Sequence, residues 1–424
     1  WLAPGNRWAD YWGMGAAWNG HNESFVKELN IFSTLKPRIS YAVTGQAICD
    51  YAEYKQSYST SKVHVYGGPF NNKWTEENKT ASRLNPEIAK KLNVGIDLGF
   101  LNDRLAFTFD YYQNKFSDVV ATSEIKTAIL GNVYPRSNCE KYSYTGTEMV
   151  LTWQDRIRNF NYFINGNLSF EQSKFEYSPQ LPKAYPWMSR LGDPVGMTYG
   201  YVADGIFQSQ EEIDMADCVY GGNKANIKPG YIRYVDVNHD GEINSKDRVI
   251  LGNSTPRYEY SFTLGGQWKG IDLSLFFQGV GKRDLYYSGA GARPLVQNST
   301  IFKSQLDTWS PENPDAEYPL LLVDAGSTNM NNIVSSFWIK SGAYLRLKNL
   351  TVGYTLPKKW TNRVSIDNLR LYFTASNLFT INSGYKGYDP ETGDPQVPWL
   401  EERIYEEWQA SGKSYAAFIE DVPT

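Results

Sequence analysis

An all-β chain carrying about ten strands of a large antiparallel transmembrane β-barrel is what three features of this sequence predict. Apolar and polar residues alternate with period two over stretches near ten residues long. These stretches come in pairs joined by short turns, while long irregular segments separate one pair from the next. Aromatic residues make up 15% of the 424 residues, with 31 Tyr, 20 Phe and 13 Trp. Many fall at the ends of the stretches, where rings sit at a membrane–water interface.

Taken in order, a first pair is expected near Trp8–Trp18 and Leu35–Gln46. Leu92, Val94, Ile96, Leu98 and Phe100 then alternate with Asn93, Gly95, Asp97 and Gly99. After a turn at Asn102-Asp103, the mate strand shows Leu105, Phe107, Phe109 and Tyr111. One face is apolar and points to lipid, and the other is polar and points to a lumen. Asp97 belongs to the lumen, because a charge facing lipid at mid-bilayer costs roughly 2–4 kcal/mol. Thr147–Trp153 pairs with Phe160–Leu168, and Tyr258–Leu264 pairs with Ile271–Phe277 across Trp268-Lys269-Gly270. A fourth clear pair runs from about Tyr344 to Thr355 and from about Asn368 to Phe379.

Between the pairs lie Ala47–Glu87, Ser117–Tyr142, Glu171–Thr255 and Gly281–Phe337, rich in Gly, Pro, Asn, Ser and Tyr. Short turns on one side and long loops on the other is the outer-membrane barrel asymmetry. Tyr111, Tyr112, Trp153, Phe170, Tyr258, Tyr260 and Trp268 are expected in the interfacial girdles. The tail differs: Pro398 opens a stretch whose Leu400, Ile404 and Trp408 fall on one helical face. The expected layout is therefore 1–390 as barrel wall with extracellular loops, and 391–424 as a loop segment with a short helix. Ten strands leave two unpaired edges in lipid, so the missing strands are expected from elsewhere in the same polypeptide.

Other classes are set aside by composition. Lys plus Arg is 42 against 46 for Asp plus Glu, a formal net charge of −4, which gives no basic footprint for nucleic acid. Three dispersed cysteines fit neither a disulfide framework nor zinc spacing. Only three histidines occur, none beside a nucleophile motif, so no enzyme is expected and no catalytic residue is assigned. No apolar run is long enough for a membrane helix. The mean hydropathy of −0.49 does not argue against a barrel, whose alternation hides in the average. The start at Trp1, without Met or a signal-peptide pattern, reads as a cut or processed end.

One loop has metal-ligand spacing. Asp236, Asn238, Asp240, Glu242, Asn244 and Asp247 occupy positions 1, 3, 5, 7, 9 and 12 of a calcium loop, with Gly241 at position 6. Glu242 would donate its backbone carbonyl. Against this, position 12 is Asp rather than Glu, and the flanks Tyr231–Val235 and Arg248–Leu251 read as strands. Two readings stand: a structural Ca²⁺ pinning a long loop, or a metal-free Asx turn in which Asp236 and Asp240 accept backbone N–H bonds. No other cofactor is expected.

Several segments resemble the C-terminal half of SusC/RagA-type TonB-dependent outer-membrane transporters. They include Gly200-Tyr-Val-Ala-Asp-Gly-Ile-Phe, Pro229 to Leu251, Gly252-Asn-Ser-Thr-Pro-Arg-Tyr, Thr308-Trp-Ser-Pro-Glu-Asn-Pro and Ser341 to Tyr354, with Gly387-Tyr-Asp-Pro-Glu near the end. They are collinear and cover nearly all of the chain after about residue 90. The resemblance implies a barrel of about 22 strands with a plugged lumen. It also implies TonB coupling through a missing N-terminal part, a SusD-like surface lipoprotein as lid, and an oligosaccharide or peptide as cargo. The plug domain, the TonB box and the final aromatic-ended strand have no counterpart in these residues. The expected location is the bacterial outer membrane. Tyr134, Tyr185, Trp187, Tyr286, Tyr287 and Trp309 are the loop aromatics that would stack on sugar rings, with loop packing as their alternative role. Glu171–Thr255 and Gly281–Phe337 are the expected lid contacts. The rival class is a secreted multidomain glycan-binding protein built of β-sandwiches.

Overall fold

The computed structural model describes residues 2–49, 53–55, 57–62, 72–78, 84–125, 135–289, 301, 303–322, 329–382 and 389–391. Ten strands form one sheet: β1 (Trp12–Ala17), β2 (Phe32–Gln46), β3 (Glu87–Phe100), β4 (Leu105–Ala121), β5 (Ser137–Ile157), β6 (Phe160–Tyr177), β7 (Tyr258–Trp268), β8 (Ile271–Gly281), β9 (Tyr344–Thr355) and β10 (Arg370–Asn382). Each is hydrogen-bonded to its neighbours in chain order, from β1 at one edge to β10 at the other. A set of sandwich domains would divide these strands among packed sheets. Here they run on without a break.

The register keeps the two faces apart. Leu98 lies opposite Phe107, Ile96 opposite Phe109, and Leu264 between Ile164 and Leu275. Rings meet across strands on the apolar face, as in Phe262–Phe277 at 4.7 Å and Phe170–Tyr258 at 5.3 Å between centroids. The short turns use left-handed residues: Lys269 and Gly270, at φ 47° and 88°, close the β7–β8 hairpin in the way two-residue turns require.

Several expectations change on contact with the structure. The strands are longer than a bilayer demands. β5 has 21 residues and β6 has 18, against about 10 for a tilted span. Hence the expected loop Ser117–Tyr142 gives up Ser117–Ala121 and Ser137–Tyr142 to strands, and the one starting at Glu171 gives up residues to Tyr177. The segment Ala47–Glu87 holds a hairpin of its own, Ser57–Lys62 with Asn72–Asn78. Tyr112 is not a girdle residue. It alternates with the apolar Tyr111 and points to the polar face, where its hydroxyl donates to Glu171 Oε2 at 2.8 Å. Period-two alternation already forbids Tyr111 and Tyr112 one face. The expected helix from Pro398 lies outside the described residues.

The chain divides into two compact units. One is Trp1–Gly196 with Thr255–Gly281 and Leu345–Ile381, which holds the sheet. The other is Met197–Ser254 with Lys282–Tyr344 and Asn382–Thr424. Its segments follow β6, β8 and β10, so all leave the same edge of the antiparallel sheet. Three short strand pairs build it: Met197–Gly200 with Val249–Asn253, Ala203–Ile206 with Ile232–Tyr234, and Asp284–Tyr286 with Ile339–Ser341. Helix Gln210–Met215 is capped by Ser209, whose hydroxyl accepts from the Glu212 N–H. Phe207, Ile213, Ile232, Leu285 and Trp338 are fully buried in this unit's core. Burial pushes the phenol of Tyr234 up, and its hydroxyl donates to the Met330 carbonyl.

The face assignment has a direct test. Leu264, near the middle of β7, lies on the apolar face, and Thr263 on the polar one. Leu264→Arg in the full-length protein is expected to cost about 2–3 kcal/mol of stability in lipid. Thr263→Arg is expected to stay within about 0.5 kcal/mol. Urea unfolding from vesicles measures both, and equal effects would refute the assignment.

Candidate functional site

The polar face of the sheet carries ordered charge networks rather than scattered polar residues. Arg38 on β2 lies opposite Gly95 on β3, and Gly95 lies opposite Asp110 on β4. A Cβ at Gly95 would sit 2.6 Å from Asp110 Oδ1 and 2.7 Å from Arg38 Cζ. The missing side chain lets the guanidinium cross a whole strand. Arg38 then donates to both Asp110 oxygens, at 2.6 and 2.5 Å, and to Asp97 at 3.3 Å. This bidentate geometry is the strong form of an ion pair. The same device recurs two residues along, where Gly146 leaves room for the Tyr112 ring beside Glu171.

Toward the short-turn edge the sheet holds an open polar cleft of about 730 Å³. Gln154, Asn161 and Gln267 line it, together with two ion pairs. Arg104 donates to Asp155 at 3.1 Å, and Arg370 holds Asp272 with bonds of 3.0 and 2.5 Å. A face of this kind binds by hydrogen bonds and charge. It offers no nucleophile–base pair.

The loop aromatics separate into two groups. Tyr287 and Trp309 are core residues, 3% and 5% exposed. The Trp309 indole N–H donates to Gln208 Oε1 at 2.7 Å, and the Tyr287 ring stacks toward Trp338. Packing is their observed role. Tyr286 is half-buried within a short strand. Tyr185 and Trp187 are half-buried outside that core and stack on each other, 4.7 Å apart at 9°. Tyr134 lies outside the described residues.

The six candidate metal ligands fall in one loop, flanked by strands as expected, Ile232–Tyr234 and Val249–Asn253. Their oxygens serve the loop's own amides. Asp236 Oδ2 accepts from the Gly241 N–H, and Asn238 Oδ1 from the Asp240 N–H. Asp240 Oδ1 accepts from the Glu242 N–H, while its Oδ2 takes the Lys246 ammonium at 2.8 Å. Asn244 and Asp247 form a capping box, and the fully buried Asp247 also accepts from the Val237 and Asn238 N–H groups. Asp236 Oδ1 is buried without a hydrogen-bond partner. No three His, Cys, Asp or Glu side chains converge as a metal site among the described residues. Lys246 and Asn238 hold the Asp240 carboxyl below the usual carboxylate range. The Asp240–Lys246 pair is therefore present at neutral pH and lost only as pH falls below about 3.9.

Sequence reasoning reached Asp97 as a lumenal charge but not its partners. Arg38 and Arg370 sit in strands whose alternation is interrupted, at Pro37 and in the polar run of β10. Arg38 and Asp110, 72 residues apart, become a contact only through the cross-strand register.

A sheet of ten strands in chain order, with a separate loop-built unit, invites comparison with known barrels. The family model described as TonB dependent receptor-like, beta-barrel matches residues 7–378. The chain belongs to this family. Among curated relatives, this receptor barrel is 28% identical over 416 residues to TonB-dependent receptor P3 of Formosa agariphila, covering 92% of this chain and 39% of that protein. It is 25% identical over 400 residues to TonB-dependent receptor SusC of Bacteroides thetaiotaomicron, covering 91% and 38%. The chain thus spans about two fifths of the length of the curated relatives it matches. In fold it is similar to the RagAB peptide transporter structure, at TM-score 0.69 and 20% identity, covering 92% of this receptor barrel and 42% of that chain.

Proposed function

We propose that the full-length protein imports a bulky polar nutrient, an oligosaccharide or a peptide, across the bacterial outer membrane. Energy comes through TonB, and a SusD-like lipoprotein covers the outer mouth. The observation that carries this reading is the second compact unit. Two inter-strand segments, Met197–Ser254 and Lys282–Tyr344, leave the same edge of the barrel sheet and fold around their own buried core. Such a unit is a ready-made surface for a partner or cargo, where bare connections would need only a few residues. The similarity to SusC and to a peptide transporter supports the same class. The polar networks around Arg38 and Asp272 supply the hydrophilic lining that an import route requires. Of the described loop aromatics, Tyr185 and Trp187 are the candidates for cargo contact, since Tyr286, Tyr287 and Trp309 pack in or against the core.

The test is uptake by the producing bacterium. Deleting the full gene is expected to abolish growth on one glycan or peptide pool from a panel. The same loss is expected when TonB is removed. A surface lipoprotein of different sequence is expected to co-purify in detergent. Uptake that survives removal of TonB would overturn the reading, as would a protein that stays monodisperse and soluble without detergent.

For the loop at 236–247 we propose the metal-free turn, supported by the Lys246 ammonium on Asp240 and by the buried Asp247 acceptor. Added Ca²⁺ is expected to leave amide exchange of residues 236–247 unchanged. Protection that rises with Ca²⁺ and saturates at a defined stoichiometry would favour the calcium loop instead.

A further inference from the structure

The turns after β5, β7 and β9 lie on one edge of the sheet, each two strands from the next. At the usual strand spacing that is about 10 Å between turns. Residues 154–160, 268–272 and 356–370 carry seven cations against three carboxylates, in a chain whose formal net charge is −4. Two of those carboxylates are already taken, Asp155 by Arg104 and Asp272 by Arg370. Arg158, Lys269, Lys358, Lys359 and Arg363 are exposed and form no ion pair among the described residues.

Two of these cations sit where turn geometry does not favour them. Arg158 and Lys269 hold φ of 54° and 47°, the left-handed region that Asn or Gly adopts more readily. A long cation does nothing for such a turn. What it does is carry charge out past the end of the hairpin. Beside the cations lie exposed apolar groups on the same edge: Ile157, Phe160, Trp268, Ile271 and Trp360. Lys269 Nζ stands 4.7 Å from the centre of the Trp268 ring. Rings beside cations at a strand end match a surface that is apolar on one side and anionic on the other.

We propose that this edge is a docking surface for the headgroups of anionic diacyl phospholipids. Lys269, Arg158, Lys358 and Lys359 engage the phosphates. Trp268 and Trp360 lie at the level of the glycerol, and the acyl chains run beside Ile157, Phe160 and Ile271. The proposal rests on the reading of this sheet as an outer-membrane wall, in which short turns face the periplasmic leaflet.

The experiment uses the full-length protein in phosphatidylethanolamine vesicles doped with brominated phosphatidylglycerol or, in parallel, brominated phosphatidylethanolamine. Tryptophan quenching should be stronger for the anionic lipid, and Trp268→Phe with Trp360→Phe should remove the difference. Native mass spectrometry should find about tenfold more bound anionic than zwitterionic lipid at equal supply. The variant Arg158→Gln, Lys269→Gln, Lys358→Gln, Lys359→Gln should lose that preference. Equal binding of the two lipids by the wild-type protein overturns the proposal without any variant being needed. Inorganic phosphate that displaces the lipid also overturns it, by showing a site for free anions. Failure of the wild-type protein to insert into vesicles would overturn the transporter reading itself, whereas insertion without lipid preference overturns only this inference.

Discussion

Trp338→Ala is expected to cost the loop-built unit about 3–5 kcal/mol while leaving the barrel sheet assembled. Trp338 is 2% exposed. Its ring packs against Phe337 at 4.9 Å and Tyr318 at 6.1 Å, and its indole N–H donates to the Asn331 carbonyl at 2.7 Å. Truncation opens a cavity and leaves that carbonyl without its donor, and the two losses act together. Asn331 in turn accepts the Ile232 N–H through its side chain, so the damage reaches the Ala203–Ile206 pairing. Hydrogen exchange on the full-length protein reads the effect locally. The amides of Ile232 and Tyr287 should exchange about 150- to 5,000-fold faster, and those of β5 and β6 should not change. Acceleration below about tenfold would show that the core does not depend on this ring.

Arg38→Met is expected to cost about 3 kcal/mol, the lower part of the range for a broken buried ion pair. Asp110 keeps only 12% of its side-chain exposure, so its charge would be left without a partner and largely without water. The lower figure applies because the Arg38 side chain is still 29% exposed. The companion triple change Arg38→Met, Asp97→Asn, Asp110→Asn should recover most of the loss. It removes the charges along with their partner, and neutral replacement of a whole network is often tolerated. Urea unfolding of the full-length protein from vesicles measures both. A triple variant no better than Arg38→Met would mean that the arginine acts through packing alone.

Much of the wall was legible because a membrane strand writes its environment into alternate residues. Leu92 to Phe100 shows its lipid face without any partner, and the observed register puts Leu98 against Phe107 as that pattern demands. Strand ends were less legible. Outside the bilayer nothing enforces alternation, so the continuation of β5 back to Ser137 and of β6 on to Tyr177 carries no such mark. Tyr112 shows the hazard of reading aromatics by type: its neighbour Tyr111 is on the apolar face, and parity alone separates the two.

Period-two hydropathy, turn spacing and collinear motifs thus determined by themselves that this protein is a strand-built wall with long connections on one edge. These are local properties, set by which residues lipid and water accept. Only the tertiary structure decided which charges meet. Arg38 and Asp110 are 72 residues apart, and Gly95 between them is what permits contact. Only the tertiary structure showed that two of the long connections share a core, and that Tyr287 and Trp309 are buried there. Side chains of the same type read alike in sequence whether they end buried or exposed, because burial depends on segments brought together from distant parts of the chain.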